Sequence, residues 1–183
     1  MKRKKTLIAF LVLLVILIWV CITRIYLPIS GTVVDAETGK PIEGATVFVW
    51  WTMPGGPVEI LSSTTYKTME TVTDKEGKFR INGFVLNPIV NKPDLTIYKA
   101  GYVCWNNNFK FPGFKPREEF QWESNRRYLL EKFRNEYSRT EHVSFIEHFM
   151  PGLDVRDPFR KAYEWEEMMS LKELRQKRVE GTK

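Results

Sequence analysis

The order of apolar and polar positions divides the chain into three stretches. Residues 7–22 form an unbroken apolar run, preceded by Lys2, Arg3, Lys4 and Lys5 and closed by Arg24. From Ile29 the pattern changes to short β-branched and aromatic segments separated by Gly, Pro and Asp. Residues 29–34, 45–52, 58–61, 66–74, 78–82 and 95–99 read as strands, with Met53–Pro57 as a loop and Asp74–Gly77 as a hairpin turn. After Pro116 the period lengthens. Leu129, Phe133 and Tyr137 recur at spacing four, which predicts an amphipathic helix over 117–139 with Pro116 at its first position. Ser144 and Glu147 have capping-box spacing, and Pro151-Gly152 would limit a helix begun there to about two turns. Asp157-Pro158 opens a further helix, expected to run to about Lys177.

Charge sharpens the reading of the first stretch. Residues 1–27 carry a net +5, residues 28–105 a net −1 and residues 106–183 a net +2, so most of the overall +6 lies at the N-terminus. A cluster of positive charge before an apolar run holds the N-terminus in the cytoplasm by the positive-inside rule. The expectation is a signal anchor, a transmembrane helix over 1–27, with the C-terminal part extracytoplasmic, either periplasmic or extracellular. A cleaved signal with a secreted product is the alternative, and it is disfavoured because Trp19, Val20 and Ile22 replace the small residues of a cleavage site. The same bulky residues disfavour lipid attachment at Cys21. Neither downstream region is basic, so a nucleic-acid partner is excluded.

The middle stretch carries a family resemblance. Residues 29–47 (ISGTVVDAETGKPIEGATV) resemble the opening of a carboxypeptidase-regulatory-like domain. Residues 73–81 (TDKEGKFRI) are similar to that family's turn-and-strand motif, and residues 100–102 (AGY) to its closing motif. The three matches come in the family's order over residues 28–105. The resemblance implies a transthyretin-like β-sandwich acting as a non-catalytic accessory module. It implies no peptidase activity, which in carboxypeptidases belongs to a separate zinc domain. The link over residues 84–94 departs from the pattern, being longer and lacking the family's glycine.

The fold class expected from these readings is mainly β. A transthyretin/prealbumin-like β-sandwich (28–105) is preceded by one transmembrane helix (1–27). It is followed by an α-helical C-terminal extension (106–183) packed on the sandwich.

Strand alternation then places side chains on faces. With Ala45, Val47, Val49 and Trp51 inward, Phe48 and Trp50 point outward, as does Tyr98 on the strand holding Leu95 and Ile97. Phe48, Trp50, Tyr98 and Trp105 are therefore the candidate interaction surface. Three covers suit it: the C-terminal helices of the same chain, a protein partner at the cell envelope, or a glycan. The glycan reading also draws on Trp51, Tyr66 and Tyr102.

Catalytic chemistry is weakly supported. His142 and His148 are six apart, which is wrong for two ligands on one helix face, so no metal site is expected. The sequence has no nucleophile elbow, no phosphate-binding glycine loop and no paired cysteines. Cys104 reads as a small buried hydrophobe. Glu118-Glu119 and Glu166-Glu167 read as solvated helix charges. The expected function is a non-enzymatic, cofactor-free module in protein interaction or structural support. A carbohydrate-binding module is the alternative. A cryptic hydrolase using Cys104 or the His142/His148 region ranks third.

Overall fold

The computed structural model describes residues 26–54, 63–85, 92–149 and 157–180, together with residues 4, 6, 8 and 10–15. Among the described residues from 26 onward, nine strands and two helices follow one another. The strands are β1 (Tyr26–Asp35), β2 (Thr46–Pro54), β3 (Ser63–Val72), β4 (Lys78–Val85), β5 (Asp94–Tyr98), β6 (Trp105–Asn106), β7 (Phe109–Lys110), β8 (Lys115–Pro116) and β9 (Arg126–Leu130). The helices are α1 (Arg139–His148) and α2 (Asp157–Glu180). The class is mixed, with helices forming a full layer, and this corrects the mainly-β expectation.

The strands form a three-stranded sheet, β4-β1-β9, a four-stranded sheet, β3-β2-β5-β6, and a β7-β8 ribbon. Side chains from both larger sheets meet in one core. It contains Ile29 and Val33 from β1, Val47, Val49 and Trp51 from β2, Phe79 and Ile81 from β4, Leu95 and Ile97 from β5, and Tyr128 and Leu130 from β9. The period-two pattern selects these residues, because burying one face of a strand requires alternate positions to be apolar. The other face of the four-stranded sheet meets the helices. There Phe48 and Tyr98 join Cys104, Phe145, Ile146, Phe149 and Phe159 in a second core.

Several expectations are corrected. Among the described residues no helix is long and apolar enough to cross a membrane. Tyr26 and Leu27, placed in the anchor by the sequence reading, belong to β1. The transmembrane helix, the signal anchor and the single-pass membrane localisation are accordingly not supported. Residues 1–3, 5, 7, 9 and 16–25 of the expected anchor lie outside the described residues, as does the edge strand expected at 58–61.

The helix expected over 117–139 is also absent, since that stretch holds β9 and becomes helical only at Arg139, the first residue of α1. β9 pairs parallel to β1, from Gly31 opposite Arg126 to Asp35 opposite Leu130. Alternation overrides the four-residue spacing here: Tyr128 and Leu130 are buried, while Leu129 between them is 54% exposed. The β1–β9 approach depends on Gly31, where a Cβ would lie 2.3 Å from the Tyr128 ring and 2.6 Å from the Arg126 carbonyl. The Asp74–Gly77 turn does form, with Asp74 Oδ1 accepting from the Lys78 N–H at 2.7 Å. It joins β3 to β4, which lie in different sheets, so it is a crossover and not a hairpin.

At the start of both helices a side chain accepts from a free backbone donor. Ser138 caps α1 and accepts from the Glu141 N–H at 3.3 Å. The capping-box spacing is thus Ser138 to Glu141, six residues before the Ser144–Glu147 pair. α2 runs from Asp157, one residue before the expected start, to Glu180. Glu70 of β3 reaches it and accepts from the Phe159 N–H at 2.9 Å, tying the helix start to the sheet.

Candidate functional site

A buried polar cluster lies within the layer between the helices and the four-stranded sheet. Glu166 of α2 is its centre, with no solvent exposure. Its Oε2 accepts a hydrogen bond from Tyr98 Oη at 2.6 Å. Its Oε1 accepts from Arg139 Nη1 at 2.9 Å and lies 2.9 Å from His142 Nδ1. The other ring nitrogen, His142 Nε2, accepts the Cys104 backbone N–H at 2.8 Å. Because a backbone N–H can only donate, Nε2 must be the acceptor and the imidazole proton sits on Nδ1, pointing at the carboxylate.

The electrostatics follow from this bonding. Burial on its own would raise the Glu166 carboxyl. The hydrogen bonds from His142 and Tyr98 and the Arg139 charge offset it and leave the group below its ordinary value of 4.5. Burial, then the neighbouring Glu166 charge, pushes the Tyr98 phenol well above its ordinary range. Burial does the same to the Cys104 thiol, again with Glu166 second. A thiol in such surroundings stays protonated and is a poor nucleophile.

Cys104, His142 and Glu166 together have the residue types of a nucleophile–base–acid triad, but the bonding is wrong for one. The lone pair a general base would use on the thiol already accepts a peptide N–H, and the cysteine is 1% exposed. Arg139 also stacks over Phe133 and Trp165, at 4.2 and 5.3 Å from their ring centroids, which holds its guanidinium in the cluster. What the arrangement does is fasten three elements together: β5 through Tyr98, α1 through Arg139 and His142, and α2 through Glu166.

The expected interaction surface is placed elsewhere. Phe48 and Tyr98 are buried in the second core, and Trp50 is half-buried at its margin. Trp105 is 8% exposed in the core between the sheets, with the Arg117 guanidinium 4.7 Å over its ring. The four therefore do not form one exposed surface, and α1 and α2 cover the outward aromatics. Of the residues added for a glycan, Trp51 is fully buried, Tyr102 is half-buried and donates to Asp35 Oδ2 at 3.1 Å, and Tyr66 is exposed. The Nε1 atoms of Trp50 and Trp51 are buried without a hydrogen-bond partner.

His142 and His148 also separate. The former is in the cluster, while the latter packs by its edge against Phe149 and Phe114. Among the described residues no group of three or more histidine, cysteine or acidic side chains could hold a metal ion. Glu166 was missed as a site residue because its pairing with Glu167 reads as solvated charge. A signal was present, since Phe159, Ala162, Glu166 and Ser170 share one face of α2, and an acid inside an apolar seam calls for a partner.

A second polar centre secures the loop after β1. Asp35 Oδ1 accepts from the N–H groups of Thr38 at 2.8 Å and Glu37 at 3.0 Å and from the Thr38 hydroxyl at 3.0 Å. The Thr38 backbone bond is the largest cause holding its carboxyl at about 2, against an ordinary 3.8. A cleft of about 210 Å³ lies nearby, lined by Ala36, Cys104, Lys110, Arg117 and Glu131. Its two cations both engage Glu119, Lys110 at 2.9 Å and Arg117 at 3.5 Å.

No family model and no curated protein matches this chain. Among solved structures it is similar to two mutants of the shaft pilin SpaA from Lactobacillus rhamnosus GG, each at a TM-score of 0.35 and 17% identity. The similarity covers 60% and 61% of this chain, and the chain spans 47% of the length of each pilin. At that TM-score the likeness carries no argument about fold or function.

Proposed function

We propose that the protein is a non-enzymatic module acting in protein interaction or structural support. One observation carries the reading: the residues with catalytic potential, Cys104, His142 and Glu166, are buried, with the free imidazole nitrogen of His142 taken by the Cys104 backbone N–H and the Glu166 carboxylate taken by Tyr98, Arg139 and His142. The resemblance of residues 28–105 to carboxypeptidase-regulatory-like domains supports the same reading, because such domains are accessory modules. The glycan alternative loses its main support with the burial of Phe48, Tyr98 and Trp105, since a sugar needs an exposed ring to stack on.

The test is photo-crosslinking of the full chain in its native cells, with crosslinkers at exposed positions such as Tyr66, followed by mass spectrometry. The expected result is a reproducible set of protein adducts. Adducts indistinguishable from those of an unrelated protein would count against an interaction role. A glycan array on the same chain provides the contrast, with no binding above background expected.

A further inference from the structure

α2 has two faces with different consequences. Its inner seam, through Phe159, Glu166 and Ser170, is buried against α1 and the sheet. Its outer face carries Met168, Leu171 and Leu174, which are 43%, 50% and 46% exposed. Helical geometry places Leu171 at the centre of that face, with Met168 and Leu174 one on either side and at opposite heights. Beyond Ser170 only Glu173 is even half-buried, so the last third of the helix projects past the layer it docks on.

The charges on this face have an order. Exposed Glu164 and Glu167 lie N-terminal to Leu171, and exposed Arg175 and Arg178 lie C-terminal to it. The spacings are equal, so Glu167 and Arg175 are each four residues from Leu171, and Glu164 and Arg178 are each seven. A two-fold axis through Leu171 of an antiparallel pair therefore sets Leu171 against its own copy and Met168 at the level of the copy's Leu174. It also sets Glu167 at the level of the copy's Arg175, and Glu164 at that of the copy's Arg178. Each of these acids then lies at the level of a base, and Leu171 meets its own copy, with Met168 and the copy's Leu174 on opposite flanks of that contact. A parallel pair would instead set acid beside acid and base beside base, which is unfavourable. Such self-complementarity is what an isologous two-fold interface requires.

We infer that the outer face of α2 is a homodimer interface in which two copies pack antiparallel about Leu171. The inference goes beyond the module reading and does not depend on it, because it needs no foreign partner.

The test uses the full chain carrying Cys21→Ser, with Cys104 left in its sealed position. Chains with Met168→Cys are mixed with chains carrying Leu174→Cys under mild oxidation. Disulfide-linked pairs of one with the other should exceed self-linked pairs from either variant alone. Sedimentation then measures association. Arg175→Glu should weaken it about tenfold, and adding Glu167→Arg to the same chain should restore it. All four positions are exposed, and unchanged helical circular dichroism confirms that each variant folds. Predominant self-linkage at position 168 would overturn the antiparallel arrangement. Association that Arg175→Glu leaves untouched would place the contact elsewhere, for instance on exposed Ile8 and residues 10–15. A chain that stays monomeric at all concentrations would end the proposal.

Discussion

The two cores of this protein are built on different principles. The core between the sheets is apolar, with Val47, Val49, Trp51, Leu95 and Ile97 meeting Phe79, Tyr128 and Leu130. The core beneath the helices surrounds an ionised carboxylate and its three side-chain partners. An apolar core tolerates a lost methylene at the cost of a cavity. A buried charge tolerates no missing partner, because whatever remains is stranded away from water. The first core specifies which strand faces pack. The second specifies where each helix sits, since Glu166 reaches Tyr98, Arg139 and His142 together in only one placement.

The sharpest way to break that contrast is Glu166→Ala. It strands Tyr98, Arg139 and His142 and should cost about 3–5 kcal/mol. In hydrogen-exchange measurements the loss of protection should be concentrated in α1 and α2. Equal loss in β1 and β2 would mean that the two cores form one cooperative unit. Leu95→Ala should cost about 2–5 kcal/mol, and protection in both sheets should fall together. Gly31→Ala forces its new methyl into the Tyr128 ring and should cost about 1–3 kcal/mol in denaturant unfolding, first exposing β9.

On the helix side of the four-stranded sheet, two carboxyls respond to acid with opposite sign. The Glu166 carboxyl is held below its ordinary 4.5, so it stabilises the helix layer above that value and the contribution is lost as the pH falls through its lowered value. Asp94 behaves in the opposite sense. Burial pushes it up to about 6, against a hydrogen bond from Asn108 and the charge of His148, so its contribution is present below 3.8 and lost as the pH rises through 6. Helix protection followed against pH should show an acid limb below 4.5 that Glu166→Gln removes and a separate limb near 6 that Asp94→Asn removes. Persistence of the acid limb in Glu166→Gln would assign it to another group. The smallest effect expected is at Ser138→Ala, about 1 kcal/mol from the lost α1 cap, read as a small fall in unfolding midpoint.

The same contrast explains how much could be read from the sequence. β2 and β5 were legible because alternation is a local property, visible within five or more consecutive residues. α2 was legible for the same reason, through Asp157-Pro158 and its apolar seam. β9 was not, because Leu129, Phe133 and Tyr137 also satisfy a helical spacing, and only pairing with β1 decides between the two readings. Pairing across ninety-five positions leaves no local trace. The polar cluster was hidden similarly. His142 and Glu166 are twenty-four residues apart on separate helices, and no spacing rule brings them together. Alternation assigns Phe48 and Tyr98 to the face away from the inter-sheet core, yet exposure depends on what else folds over that face, which alternation does not encode.

The parallel pairing of β9 with β1 also has a consequence for the growing chain. β1 leaves the ribosome about a hundred residues before the strand that closes its second edge. At roughly ten residues per second that edge stays unpaired for about ten seconds, offering its backbone donors and acceptors to any passing strand. The short, charged sequence of β9, Arg126-Arg127-Tyr128-Leu129-Leu130, must then outcompete whatever has found the edge first. Nascent chains halted before residue 126 are therefore the form of this protein most exposed to aggregation and most in need of a chaperone.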